Sequence, residues 1–258
     1  MKVIRCDLPK EFKELFILPL ADWHLGDPRS DFKLIMSWLD YLAATPNAYA
    51  ILNGDLMDNA TRHSIGDIYG ASLQPMEQLR ECVKLFEPVK QKILAVLPGN
   101  HEGRTYRTDG LDVTAMMCSQ LGLDCYAPEG AFLFVRFGEL ALHAHHRRPV
   151  CYTIYAQHGS SGGRTEGAKI KRLADLAAIV DADIYVHSHV HQPAVLKQGY
   201  FRVDTANSSV SHVTKLFVNT SSTLDYGGYG EAQGYKPTAK DTPLIRLDGT
   251  RKAMSASL

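Results

Sequence analysis

Leu15-Phe16-Ile17-Leu18-Pro19-Leu20-Ala21-Asp22-Trp23-His24 decides the architecture: an apolar run of strand length delivers a carboxylate and an imidazole at its end. A short continuous apolar run of this kind reads as a strand buried on both faces. Two more runs repeat the pattern. Tyr49 to Asn53 leads into Gly54-Asp55-Leu56-Met57-Asp58, and Ile93 to Leu97 leads into Pro98-Gly99-Asn100-His101-Glu102. Between these runs, Asp31 to Ala43 carries Phe32, Ile35, Leu39 and Leu42 at helical spacing, with Ser30 in the N-cap position. Pro75 to Phe86 opens on proline and places Met76, Leu79, Val83 and Phe86 on one helical face. The β-α-β-α-β rhythm predicts an α/β fold with functional side chains at the strand ends.

After a helix expected near Leu111 to Leu121 the pattern changes. Ala131 to Phe137, Glu139 to His145 and Tyr152 to Gln157 read as strands joined by short turns. A helix follows from about Gly167 to Val180, then strands at Asp183 to His187, Pro193 to Lys197, Phe201 to Val203, Lys215 to Val218 and Thr242 to Leu247. Thr223 to Lys240, rich in Gly and Tyr, reads as an ordered surface loop. The expectation is a four-layer α-β-β-α sandwich: two mixed β-sheets flanked by helices, with a dinuclear metal site at the strand ends. Residues 1–258 are expected to form one domain.

Composition bounds the function. Lys plus Arg and Asp plus Glu both number 28, so there is no global electrostatic pull toward nucleic acid or membrane. The five cysteines (Cys6, Cys82, Cys118, Cys125 and Cys151) show no CxxC spacing, which fits a reduced, cytoplasmic setting. Met1 to Lys13 has no apolar core of a secretory signal, and no run of about 18 apolar residues predicts a membrane span.

Seven residues form a metal-ligand constellation without thiolates: Asp22, His24, Asp55, Asn100, His158, His189 and His191. Carboxylate, amide and imidazole donors suit two cations that clamp a phosphate and activate a water. Asp22 and His24 are two apart, as are His189 and His191, so strand alternation would aim each pair at one site. Asp55 follows a glycine, where the chain can turn sharply and leave the carboxylate free to bridge cations about 3.5–4 Å apart.

The ordered set D-x-H, GDxxD, GNHE, His and HxH resembles the calcineurin-like metallophosphoesterase superfamily, nearest to its small bacterial or phage-type phosphoesterases, nuclease-like ones included. The resemblance runs from Asp22 to His191. It implies one metal on Asp22, His24, Asp55 and His191 and a second on Asp55, Asn100, His158 and His189. His101 matches the histidine that assists the leaving group or contacts phosphate, and Asp58, which completes GDxxD, would buttress the site rather than ligate a metal. The implied activity is hydrolysis of a phosphoester by a hydroxide held between two divalent ions, attacking phosphorus in line. Manganese is the first expectation for the metal, with Fe, Zn²⁺, Mg²⁺ and Ni²⁺ open. Ligand imidazoles must be neutral, so metal binding should weaken below about pH 6.5.

Two departures carry information. Ser188 stands where the family usually has glycine before HxH. Asn59 and Ala60 replace the Arg-Gly that follows GDxxD in the protein-phosphatase branch, which argues against that branch. The first expectation from the resemblance is a phosphodiesterase, with DNA or a nucleotide among the candidate substrates. A phosphomonoesterase on a nucleotide, protein or metabolite is the alternative, and a non-catalytic scaffold of the same fold is a third reading, weakened because every ligand position is filled.

Some residues keep two readings. His187 with His189 is a rival to His189 with His191. His143, His145 and His146 compete with His158, and with Arg147 and Arg148 they otherwise form a solvated basic turn. Arg104, and Arg164 within the Ser160 to Thr165 loop, are candidate phosphate contacts. Arg62, His63 and Tyr69 lie in a long segment of lid or wall character. Lys169, Lys171 and Arg172 read as a solvated helix face, and the tyrosines of Tyr226 to Tyr235 as loop packing.

Overall fold

The computed structural model describes residues 1–62, 64, 68–143, 146–160, 163 and 165–258. In chain order the first half holds β1 (Lys2–Asp7), β2 (Glu14–Leu20), α1 (Phe32–Ala44), β3 (Ala48–Asn53), α2 (Pro75–Phe86), β4 (Ile93–Leu97), α3 (Gly103–Asp109) and α4 (Val113–Leu121). The second half holds β5 (Ala131–His143), β6 (His146–Gln157), α5 (Glu166–Asp175), β7 (Ile184–His187), β8 (Ala194–Asp204), β9 (Ser209–Asn219), α6 (Gly228–Ala232), β10 (Leu244–Asp248) and β11 (Met254–Ser257).

These strands form two mixed sheets. One runs β11-β10-β2-β3-β4, with β2, β3 and β4 mutually parallel. The other runs β1-β5-β6-β7-β9-β8, with β6, β7 and β9 mutually parallel. Strand alternation sorts the side chains into layers. Leu15, Ile17, Ile51 and Leu97 pack against Leu133, Ile154, Val186 and Val218 between the sheets. Leu18, Leu20 and Leu52 face the opposite way, onto Ile35 and Leu39 of α1, Leu79 and Phe86 of α2 and Met117 of α4. On the far side Tyr155, Tyr185 and Phe217 receive Leu173 of α5. The result is the expected α-β-β-α sandwich. Both faces of the central strands are covered, which is why those strands read as unbroken apolar runs, whereas the β8–β9 end of the larger sheet is largely exposed.

Several boundaries differ from the sequence expectation. Asp31, not Ser30, caps α1, accepting from Leu34 N at 3.1 Å; Ser30 Oγ donates to Trp23 O at 2.7 Å instead. The helix expected from Leu111 starts at Val113 behind an Asp112 cap, and a separate short helix, α3, precedes it. The two strands expected over 131–145 are one strand with a register shift between Phe137 and Leu140, where Gly138 takes φ +64°. The two strands expected at Pro193 to Lys197 and Phe201 to Val203 are likewise one strand, β8, which begins at Ala194. The α5 helix ends at Asp175 and continues as one 3-10 turn. The segment 223–240 contains the short helix α6. β1 and β11 have no counterpart in the sequence reading. β1 pairs in parallel with β5, more than a hundred residues away, a contact that local pattern does not encode. Among the described residues, no helix is long and apolar enough to cross a membrane.

Candidate metal centre

Every one of the seven expected ligands follows the carboxyl end of a parallel strand. Asp22 and His24 come just after β2, Asp55 after β3, Asn100 after β4, His158 after β6, and His189 and His191 after β7. The parallel order of both sheets points these five ends the same way, and the ends of the two sheets meet there.

Strand alternation is not what aims the paired residues. Asp22 (φ 54°), His24 (φ 47°), Asp55 (φ 51°), His189 (φ 70°) and His191 (φ 54°) all take left-handed backbone. Such a conformation costs a residue with a Cβ about 1–2 kcal/mol. Strain of this kind persists only where the surroundings impose it, and it collects at functional sites. The surroundings are visible. Asp22 N donates to Gly54 O and His24 N to Asp55 O, each at 3.0 Å. Ser222 Oγ donates to Asp22 O at 2.8 Å and Thr223 Oγ1 to Trp23 O at 2.8 Å. Two glycines make room: a Cβ on Gly99 would lie 2.0 Å from Asp55 Oδ1, and one on Gly54 2.6 Å from His158 Nδ1.

Three groups of donors result; one is His24, Asp58 and His101, and the other two match the expected sets. In the first expected set, His191 Nε2 lies 3.2 Å from His24 Nε2 and 3.3 Å from Asp22 Oδ1. In the second, His158 Nε2 lies 3.3 Å from both Asp55 Oδ2 and Asn100 Oδ1, with His189 completing the group. Asp22 links these two, since its Oδ2 accepts from His189 N at 3.1 Å. Each group could hold a metal ion. The fit is chemical as well as geometric. Asp22 Oδ1 is buried and, among the described residues, accepts no hydrogen bond, a carboxylate oxygen that a cation would satisfy. His158 Nδ1 faces Asn53 O at 2.7 Å, so Nδ1 donates its proton there and Nε2 is the atom turned inward toward Asp55 and Asn100.

Protein charges alone perturb the site strongly. Burial, reinforced by His101, holds His24 well below the usual imidazole range. Burial opposes charge on His158 too, but the Asp55 carboxylate outweighs it and pushes the group up to about 10. Burial works to raise Asp55, yet His158 and His101 keep its carboxyl well below the ordinary value.

His101 sits beside both expected sets. Its Nδ1 lies 2.8 Å from Asp58 O and 3.1 Å from Asp58 Oδ1, and its backbone N–H donates to Asp55 Oδ1 at 2.8 Å. Arg104 reaches in from α3: Nη2 lies 2.9 Å from His101 Nε2, and Nη1 donates to Asp58 O at 2.9 Å. Burial disfavours charge on His101, but Asp55 and the bond to Asp58 raise it above the ordinary value.

The other sequence candidates divide. His187 is buried, lies outside both groups, bonds Asn219 Oδ1 at 2.8 Å and packs under Gly159. His145, His63 and Arg164 lie outside the described residues, as do the side chains of His143, His146 and Arg147. Sequence reading missed two supports. The Glu102 carboxylate accepts from the backbone N–H groups of Asp55 (3.0 Å), Met57 (2.9 Å) and Gly99 (2.8 Å), tying the loops after β3 and β4 together. Asn53 Nδ2 donates to Gln157 O at 3.0 Å and to Ser188 Oγ at 2.6 Å, tying β3 to the loops after β6 and β7. Glu102 stood in the GNHE motif; nothing near Asn53 signalled its reach across the sheets.

Comparison with solved structures gives distant likenesses. Vacuolar protein sorting 29 from Cryptosporidium parvum is 14% identical, with 95% of this chain and 97% of that chain covered and a TM-score of 0.46. A predicted phosphoesterase from Streptococcus pneumoniae is 14% identical over 94% and 88%, with a TM-score of 0.38. A metallophosphoesterase from Sphaerobacter thermophilus is 14% identical over 91% and 84%, with a TM-score of 0.38. These carry no argument about activity. Comparison with curated proteins returns no match. The family model for calcineurin-like phosphoesterases matches residues 17–193, a span that holds all seven residues and most of the chain. The chain belongs to the calcineurin-like phosphoesterase family, and its chemistry is metal-dependent hydrolysis of phosphoesters.

Proposed function

We propose that this protein is a phosphodiesterase and that it works with two divalent cations, manganese the first to test. One cation would be held by Asp22, His24, Asp55 and His191, the other by Asp55, Asn100, His158 and His189, with Asp55 shared. The observation that carries this is the convergence of two donor groups, linked through Asp22, around a buried carboxylate oxygen with no hydrogen bond. When bound, the cations supply Lewis-acid charge to the phosphate oxygens and lower the pKa of a water.

The chain's own residues do the rest. Asp58 holds His101 by Nδ1, so that Nε2 is the atom placed to give a proton to the departing oxygen. Arg104, which donates toward His101 Nε2, is placed to turn its guanidinium onto a phosphate oxygen and leave Nε2 free for that proton. Glu102 and Asn53 fix the loops and thereby the distances between donors.

The diester preference is supported by Asn59. Where the protein-phosphatase branch has a phosphate-binding arginine, Asn59 is buried and its Nδ2 bonds His101 O at 2.8 Å. It brings no positive charge to the second anionic oxygen of a monoester.

The test is hydrolysis of bis-p-nitrophenyl phosphate against p-nitrophenyl phosphate by EDTA-stripped protein with Mn²⁺ restored and Asp55→Asn as control. Metal-dependent turnover that prefers the diester is expected. Preference for the monoester would replace this reading with a phosphatase. Turnover of neither ester with two metals bound would favour the scaffold reading.

A further inference from the structure

Of the four strands that end the two sheets, three are short: β4 has five residues, β11 four and β1 six. β8 has eleven, all paired with β9 on the inner side with no register shift and no proline. Among the described residues no strand covers its outer side. Proteins blunt such an edge with shortness, bulges, prolines or charge, because its row of free N–H and C=O groups is a template for another strand. β1 is blunted in this way: it is short and carries Lys2, Arg5 and Asp7. β8 from Gln198 to Phe201 carries no charge.

The ribbon outgrows its sheet. β9 pairs with β7 only from Leu216 to Asn219, so the outer half of β8 and β9 is a two-stranded ribbon, exposed on both faces. It nevertheless carries an apolar strip. Strand alternation puts Phe201 and Val203, 78% and 67% exposed, on one face, opposite His212 and the exposed Val210 of β9. The Phe201 ring meets His212 edge to face, with centroids 5.8 Å apart. The other face holds Tyr200, whose ring lies under Lys215 Nζ at 4.8 Å, and Arg202, which reaches Asp181 at 3.4 Å. A two-stranded ribbon by itself is marginal in water, and a third strand along an apolar face is what stabilises one.

We infer that β8 pairs antiparallel with β8 of a second copy of this chain, about a two-fold axis normal to the sheet, and so joins two six-stranded sheets into one. A two-fold contact must be self-complementary, and the sequence of this edge is self-complementary about Phe201. With the axis there, Phe201 meets Phe201 of the second copy and Val203 lies opposite Gly199, which makes one continuous apolar strip. On the other face Arg202 lies opposite Tyr200, a guanidinium against an aromatic ring, and Gln198 opposite Asp204, an amide against a carboxylate. Symmetry repeats each pair, and no like charges oppose each other. Moving the axis by one residue spoils this: at Arg202 it sets two arginines face to face, and at Tyr200 it sets Asp204 against Leu196. The complementarity therefore selects a second copy as the occupant. The inference is independent of the phosphodiesterase reading, because Phe201 lies about 23 Å along the strand from Ala194, the end beside the metal-ligand loop.

Sedimentation velocity of the full chain over a range of micromolar concentrations tests it. The wild type should sediment as a dimer in reversible equilibrium with monomer. Phe201→Glu and Phe201→Lys, each made separately, put like charges face to face on the axis and should each raise the dimer Kd by more than about 100-fold. Mixing the two variants sets glutamate against lysine and should restore the dimer, a rescue that simple loss of an apolar patch would not allow. The far-UV circular dichroism of both variants should match the wild type, because the Phe201 side chain is exposed. Hydrolysis of small esters, where present, should not change. A wild type that stays monomeric at every concentration would overturn the inference. So would a dimer that survives Phe201→Glu, which would place the contact on another face, and variants that stay monomeric when mixed, which would remove Phe201 from the axis. Assemblies larger than a dimer would show a contact that does not close, and would overturn it as well.

Discussion

The two sheets contribute to one site, but each holds its share in place by different means. On the five-stranded side a buried charge is the organiser: the Glu102 carboxylate gathers three backbone N–H groups from the loops after β3 and β4. On the six-stranded side the organisers are neutral. Asn53 bonds Gln157 O and Ser188 Oγ, His158 Nδ1 meets Asn53 O, and Ser188 N donates to His158 O at 3.0 Å. The difference follows from what each side must hold. In the proposed assignment Asp55 would serve both cations, and its loop would then need the stiffer support. A charged acceptor binds N–H groups about twice as strongly as a neutral one. The imidazoles opposite need only the correct tautomer, which one carbonyl supplies.

The largest expected effect separates the two sides by metal stoichiometry. Asp55→Asn should reduce hydrolysis of bis-p-nitrophenyl phosphate to the background of buffer and metal, and mass spectrometry of the desalted protein should find neither cation retained. His189→Ala should remove one cation and keep the other. If both variants retained the same metal count, Asp55 would not be shared and the contrast between the sides would lose its basis.

His101→Ala comes next. Turnover should fall by about 100-fold, the scale of a lost general acid, while metal content stays at the wild-type level. Metal loss in this variant would move His101 from proton delivery to ligation.

The contrast itself is tested by Glu102→Gln beside Asn53→Ala. Glutamine keeps the volume but can accept with one oxygen only, so N–H groups in a buried loop lose their partner. Mn²⁺ affinity should fall about 10- to 100-fold, as for other residues that orient ligands. Asn53→Ala should cost less, because no charge is involved and water can replace an amide at the loop ends. Equal losses in titrations with Mn²⁺ would show that charge is not what distinguishes the two sides.

How much of this the sequence reveals depends on the range of the interaction. The layer order and the central strands are legible because burial on both faces writes unbroken apolar runs such as Leu15 to Leu20. The identity of the converging residues is legible because short motifs keep each one beside its strand end. The reason they converge is not. A spacing of two in Asp22/His24 and His189/His191 suggests strand alternation, whereas both pairs lie past the strand ends on left-handed backbone. Around Asp22 that conformation is held by Gly54, Ser222 and Thr223, and at His189 by the Asp22 carboxylate, all distant in sequence. Asn53 is silent for the same reason: it reads as the last residue of an apolar strand, and its two bonds cross to the other sheet. β1 is hidden because the strand it pairs with, β5, lies more than a hundred residues away.

The smallest effect carries the comparison away from the metals, to the helix caps. On the five-stranded side α1 is capped by a carboxylate, with Asp31 Oδ1 accepting from Leu34 N. On the six-stranded side α5 is capped by a hydroxyl, with Thr165 Oγ1 accepting from Ala168 N at 3.3 Å. Either residue changed to alanine should cost about 1 kcal/mol in urea unfolding near neutral pH. Their pH dependence should differ. The bond to Leu34 N, and after it Lys240, holds Asp31 below the ordinary carboxyl value. Its contribution is therefore complete above the unfolded-state pKa of about 3.9 and is lost as pH falls through the lower folded value. The penalty of Asp31→Ala should shrink below about pH 4, since protonation weakens the wild-type cap, while that of Thr165→Ala should stay level. A penalty for Asp31→Ala that held constant well below that pH would mean that the cap works through its geometry alone, and the contrast between charged and neutral support would then be confined to Glu102.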